Sequence, residues 1–229
     1  MKKYILPSIA IVIASLMIPV SVSRFRSYER TVAVKGLCEK EVKADKAIWP
    51  LSYKVGGDDL SSLLSDVEKY NAMIVSFLKR GGLNDSEINV AAPQISDKYA
   101  NEYGNNDRKF RYLCSTVITV CTGNVDLVLK LQAKQFELIR NGIALVGDNW
   151  ENKTQFSFEA LNDIKPQMIE EATANAREAA KKFADDSGSH LGKIKSATQG
   201  TFSIEDRDSN TPYIKKIRVV TNVTYYLKN

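Results

Sequence analysis

Between Ile169 and Gly192 the chain reads IEEATANAREAAKKFADDSGSHLG. Ile169, Ala172, Ala176, Ala179 and Phe183 recur every three or four residues, so they share one face of a helix. Most of that face is alanine. With so little side chain to interpose, such a helix must lie close against its support, which suits a sheet better than a cofactor pocket. Glu170, Glu171, Arg177, Glu178, Lys181 and Lys182 fill the remaining arc and are expected in solvent. Pro166 fits a first turn, Asn162 or Asp163 is the expected cap, and Gly188 supplies a left-handed stop. Five or six helical turns are expected.

The rest of the pattern is laid out around that helix. Val32 and Val34 alternate with polar or small residues, and Gly36 marks a bulge or a close backbone approach. Ala47, Trp49, Leu51, Tyr53 and Val55 form one face of a second strand, with Lys46, Pro50, Ser52 and Lys54 on the other. Pro50 has no N–H to give a ladder, which predicts an edge strand or a bulge. Gly56 to Asp59 turns the chain into a helix striped by Leu60, Leu63, Leu64, Val67, Ile74, Phe77 and Leu78 and ended by Gly81-Gly82. Residues 87–99 read as a strand broken at Pro93, residues 101–109 as a hairpin tip, and residues 110–121 as a long strand. Residues 124–140 read as one helix, apolar nearly all round, hence deeply buried or a subunit contact. Residues 143–158 read as strand around a Gly147-Asp148-Asn149 turn, and two strands, 191–204 and 213–227, close the chain. Helices interspersed with hairpins predict an α+β fold, mostly antiparallel, with three main helices.

A net charge of +5 among 32 basic and 27 acidic residues, with no basic stripe interleaved with aromatics, argues against a nucleic-acid partner. At the N-terminus, Lys2 and Lys3 precede an uncharged run from Tyr4 to Val22, followed by Arg24 and Arg26. As a helix the run would be about 28 Å long, the thickness of a bilayer core. Residues 1–23 are read as a signal anchor, or as a cleaved signal peptide broken at Pro19, with the anchor favoured because no Ala-x-Ala site is present. Residues 24–30 form a spacer and 31–229 the folded domain. Both readings place that domain outside the cytoplasm, with a membrane partner through residues 4–22 if the run is kept.

Few residues offer chemistry. His190 is the only histidine, just past the helix stop, with no second ligand at metal spacing. Cys114 and Cys121, seven apart on one predicted strand, face opposite ways and cannot bridge each other. Cys38 is left to pair with one of them, or all three are small buried hydrophobes. Asp206, Asp208 and Asn210 open like a calcium loop, but Thr211 and Ile217 stand where glycine and glutamate are needed, so a polar turn is expected. No catalytic, cofactor-binding or metal-binding residue is assigned, and no cofactor is expected.

Three stretches resemble the SIMPL-domain family, which includes a bacterial periplasmic immunogenic protein described as an outer-membrane antigen. They are Gly36-Leu37-Cys38-Glu39 with Val42, Asp45 and Ala47; Tyr112 to Val120 leading to Val125; and Ala172, Ala176, Ala179 and Ala184 followed by Gly188 and Leu191-Gly192-Lys193-Ile194. Cys38 and Ala44 depart from that family's usual small residue and proline. The resemblance implies an α+β envelope domain, homo-oligomeric in some members, linked to envelope or oxidative stress and without an established catalytic site. The expectation is therefore a non-enzymatic, self-associating protein with envelope partners.

Overall fold

The computed structural model describes residues 30–100, 109–147 and 152–228. The membrane segment expected at 1–23 and the hairpin tip at 101–108 lie outside these. Among the described residues no helix is long and apolar enough to cross a membrane. The fold is α+β, as expected, but the strands form two sheets rather than one. The chain divides into two compact units: one from the described parts of Met1–Glu41, Leu161–Glu205 and Lys216–Asn229, the other from Val42–Ala160 and Asp206–Lys215.

In the first unit, β1 (Thr31–Lys43), β10 (Ile214–Lys228) and β8 (His190–Gln199) lie side by side in that order, and β9 (Ser203–Asp206) also pairs with β10. The expected strand 191–204 is thus two strands, parted at Gly200. Alternation along β10 is strict: Ile217, Val219, Thr221, Val223 and Tyr225 are buried. Against this face lies α4 (Leu161–Asp186), longer than the expected five or six turns, with Pro166 inside the helix rather than in its first turn. Its buried row is Met168, Ala172, Ala176, Ala180 and Ala184, while Phe183 is 62% exposed. The expected row through Ile169, Ala179 and Phe183 is therefore corrected to a strict four-residue ridge. Such a ridge runs obliquely to the helix axis. Contact is backbone-close: a Cβ on Gly36 would sit 1.8 Å from the Ala172 carbonyl oxygen and 2.6 Å from the Ala176 nitrogen.

The second unit is built on β2 (Lys46–Gly57) and β5 (Tyr112–Thr122), antiparallel without a break from Ala47↔Thr122 to Gly57↔Tyr112. β3 (Ile88–Val90) and β4 (Gln94–Asp97) both pair with the far side of β5, parted at Pro93 as expected. On the other side of β2 lie β6 (Leu145–Val146) and β7 (Gln155–Ser157). Both run antiparallel to β2, Val146 opposite Ser52 and Gln155 opposite Ile48. Strand is thus found on both sides of the turn expected at Gly147-Asp148-Asn149, of which Asp148 and Asn149 lie outside the described residues. β2 is consequently not an edge strand. Pro50 falls between the stretches paired to β7 and β6, where a missing N–H has no described partner to disappoint.

Helix α1 (Leu60–Arg80) starts at Asp59, whose carboxylate accepts from the Ser62 N–H at 2.8 Å. Leu63, Val67, Ile74, Phe77 and Leu78 are buried as expected, but Leu60 is exposed. The helix expected over 124–140 is two, α2 (Val125–Lys134) and α3 (Phe136–Arg140). Nor is it buried all round: Phe136 and Ile139 are 64% and 47% exposed. The core joins Trp49, Tyr53, Ile118 and Val120 to Ile74, Phe77, Val128 and Leu131.

Helix ends follow one rule. Gly82, Gly142 and Gly188 have φ of 109°, 87° and 65°, the only positive values among the described residues. After each, a buried residue (Leu83, Ile143, Ser189) donates its N–H to the carbonyl five residues back (Leu78, Leu138, Ala184). The glycine N–H goes three residues back. This is the Schellman arrangement, and only glycine adopts that φ without strain.

Candidate functional site

Each residue with chemical potential was placed by its local element. Cys38 points from β1 into the first unit and is 2% exposed. Burial, then a hydrogen bond to Glu171 and that carboxylate's charge, push its thiol up to about 11, with Lys40 pulling the other way. Cys114 is buried beneath Leu63 and Val67, and burial pushes its thiol up as well. Cys121, on the same strand but the opposite face, is exposed. All three are free. The open pairing of Cys38 with Cys114 or Cys121 is thereby corrected. Thiolates are the nucleophiles, so the two buried thiols are held in their unreactive form.

His190 opens β8 and is exposed. The acidic run after Ile204 is a hairpin turn, as expected. Asp206 pairs with Lys215. Asp208 accepts from the Asn210 and Thr211 backbone N–H groups at 2.9 and 2.8 Å and from Arg207 Nε at 3.0 Å. Its oxygens are thus occupied by its own turn.

One carboxylate of structural weight carried no chemical signal of its own. Asp45 accepts from the N–H groups of Glu159, at 2.8 and 3.0 Å, and Ala160, at 2.8 Å. It pins the segment just ahead of α4. Two amide donors, one of them shared between both oxygens, make charge-assisted bonds to this carboxylate.

Among the described residues of the second unit, two hollows bear on its chemistry. The larger, about 480 Å³, runs along Trp49, Pro50 and Leu51 to Gln132, Gln135 and Ile139. The smaller, about 250 Å³, is lined by Ser52, Lys54, Ala91, Gln94, Ser115 and Asn152, among others. Register explains its polarity. Ser52 stands opposite Val117 and Lys54 opposite Ser115, so these four share the face turned away from Trp49, Leu51 and Tyr53. Ser52 is 6% exposed and its hydroxyl has no hydrogen-bond partner among the described residues. One ammonium, hydroxyls and amides could hold a polar ligand. None of its described lining residues is a carboxylate, thiol or imidazole. Sequence periodicity set Ser52 and Lys54 on one face of β2, but nothing in it brought Gln94, Ser115 and Asn152 alongside.

These features describe a two-unit α+β protein in which antiparallel sheets are backed by helices and the buried thiols are chemically muted. The chain belongs to the SIMPL family, described as a protein of unknown function (DUF541), whose model matches residues 32–225. No curated protein matches the chain.

Proposed function

We propose that the chain is an exported, non-enzymatic protein of the cell envelope whose SIMPL domain self-associates and offers a surface to envelope partners. The uncharged run Tyr4 to Val22 supports export, with the domain tethered to the inner membrane, or free in the periplasm if the run is cleaved. Self-association is carried by one observation: α3 turns Phe136 and Ile139 to solvent beside the Trp49–Pro50–Leu51 hollow. Apolar side chains grouped this way gain most by meeting another protein surface. A link to envelope or oxidative stress is what the family resemblance adds. Light scattering of the full chain in mild detergent tests assembly. An oligomer is expected, and Phe136→Asp with Ile139→Asp should shift it to monomer. A native monomer at high concentration overturns self-association.

Two other readings have a handle. A thiol-dependent protectant would have to act through Cys121, the exposed cysteine. Oxidant survival unchanged by serine at all three cysteines removes it. A small-ligand module is favoured by the buried Ser52 hydroxyl beside the polar hollow, and a ligand-dependent rise in Tm abolished by Lys54→Ala would establish it.

A further inference from the structure

The outward face of the four-stranded sheet is uneven in charge. Odd-numbered residues of β10 are buried from Ile217 to Tyr225, so Lys216, Arg218, Asn222, Thr224, Tyr226 and Lys228 face away from α4. The Arg30 carbonyl accepts from Leu227 N–H at 2.8 Å, and Glu39 lies against Arg218, nine residues on in β1 and nine back in β10. β1 and β10 are therefore antiparallel, and the sheet has two distinct ends. At the far end Glu39 pairs with both Lys216 and Arg218. At the near end, where β1 begins and β10 finishes, stand Lys193, Lys195 and Lys228, none in an ion pair among the described residues. Lys195 Nζ lies 5.6 Å from the centroid of the Tyr226 ring, a cation and an aromatic presented together. The sequence holds no acidic residue from Ser187 to Ile204 or from Ile214 to Lys228. The last turn of α4 adds Asp185 and Asp186, and Lys181 and Lys182 stand one turn earlier.

This near end is also where the chain arrives from its N-terminal run. Residues 24–30 span at most about 25 Å when extended, so a domain tethered by residues 4–22 keeps the start of β1 within that distance of the bilayer. We infer that the near end of the sheet, through Lys193, Lys195, Tyr226 and Lys228, rests on anionic phospholipid headgroups. The inference relies on the tethered reading of residues 4–22. Each lysine near such a surface contributes on the order of 1 kcal/mol, and the attraction fades beyond a Debye length. Tyrosine sits well at that depth, its ring apolar and its hydroxyl wet. The far end, where Glu39 partly offsets Lys216 and Arg218, faces away.

The test uses the full chain reconstituted into phosphatidylcholine vesicles and into vesicles with about one-third phosphatidylglycerol. A membrane-impermeant amine reagent labels lysines, and mass spectrometry reads the rate at each. Lys193, Lys195 and Lys228 should label about threefold or more slowly on the anionic vesicles, while Lys69 and Lys134 label alike on both. Salt at about 0.5 M should erase the difference. In Lys195→Glu with Lys228→Glu, checked for native circular dichroism, Lys193 should lose its dependence on lipid charge. Equal labelling on both vesicles overturns the inference, as does protection by soluble polyphosphate without protection by anionic lipid. Chain released from phosphatidylcholine vesicles by a carbonate wash removes the tether. Lysine protection on anionic vesicles added to that released chain would still uphold the surface.

Discussion

The two units solve the same problem, backing a sheet with a helix, in opposite ways. In the first, α4 offers Ala172, Ala176, Ala180 and Ala184 to a sheet that meets it with Gly36 and Val34. Those four methyls bury about 3 kcal/mol of apolar surface at about 0.8 kcal/mol per carbon. In the second, Ile74, Phe77 and Leu78 of α1 meet Trp49, Tyr53, Ile118 and Val120. One helix is held by nearness, the other by bulk. A close-packed interior tolerates neither added nor removed volume. The contrast is in which change does harm: the alanine contact has no room to add, and the large-residue core has much to lose by removal.

The sharpest way to break that comparison is Gly36→Ala. The new methyl meets backbone atoms of α4 rather than the end of a flexible side chain, so helix and strand must part. A loss on the order of 4 kcal/mol is expected, at the severe end for one substitution. Urea denaturation measures it, with Gly57→Ala as control, because there the nearest atom is Leu63 Cδ1 at 3.6 Å. A Gly36→Ala protein as stable as native would refute the close approach. Next in size is truncation in the other unit: Ile118→Ala, fully buried in the native chain, should cost about 3 kcal/mol through a cavity. Ala180→Leu is its mirror, costing about 2 kcal/mol by overpacking. If Ile118→Ala proves the mildest of these changes, bulk is not what holds α1.

Much of this was legible in the residues, and the misses have physical causes. Strand β2 could be read from its alternation because one of its faces is buried and a period of two has no competitor. Helix ends at Asp59, Gly142 and Gly188 were legible because capping chemistry is local. Of the buried row of α4, Ala172 and Ala176 were legible, but Met168, Ala180 and Ala184 were not. Alanines stand at 172, 174, 176, 179, 180 and 184, on several arcs of the helix, so apolarity alone does not choose among them. The choice is made by the sheet, through Gly36. Pro50 misled for a related reason: whether β2 has a partner beside residue 50 depends on residues about a hundred positions away. The polar hollow beside Lys54 was half legible, since β2 shows one wall and the others arrive from β4, β5 and the segment before β7.

Asp45 sharpens the comparison at the point where the chain leaves the second unit for α4. Its carboxylate accepts two amide donors, and Asp45→Ala leaves both without that partner. About 2 kcal/mol should be lost, as for a strong helix cap. Asp45→Asn, which keeps an acceptor but not the charge, should lose less. Thermal unfolding of the two variants decides it, and equal losses would mean that charge adds nothing there.

The smallest effect belongs to Asp208, in the turn between β9 and β10. Hydrogen bonds from Thr211 and from Arg207 hold its carboxyl well below the usual 3.8, at about 2. Depressed in the folded chain, the group binds its proton less readily there than when unfolded. Its contribution is therefore fully present above about pH 4 and is lost as pH falls through about 2. Being exposed, the turn should show this as local loosening rather than global unfolding. An NMR titration of the Asp208 carboxyl should give a midpoint near 2, with the Thr211 amide shift following the same curve. Thr211→Val removes the hydroxyl donor and should move the midpoint upward toward the ordinary value. A midpoint near 3.8 in the native chain would show that the turn does not hold the carboxylate, and that its order comes from the β9–β10 pairing alone.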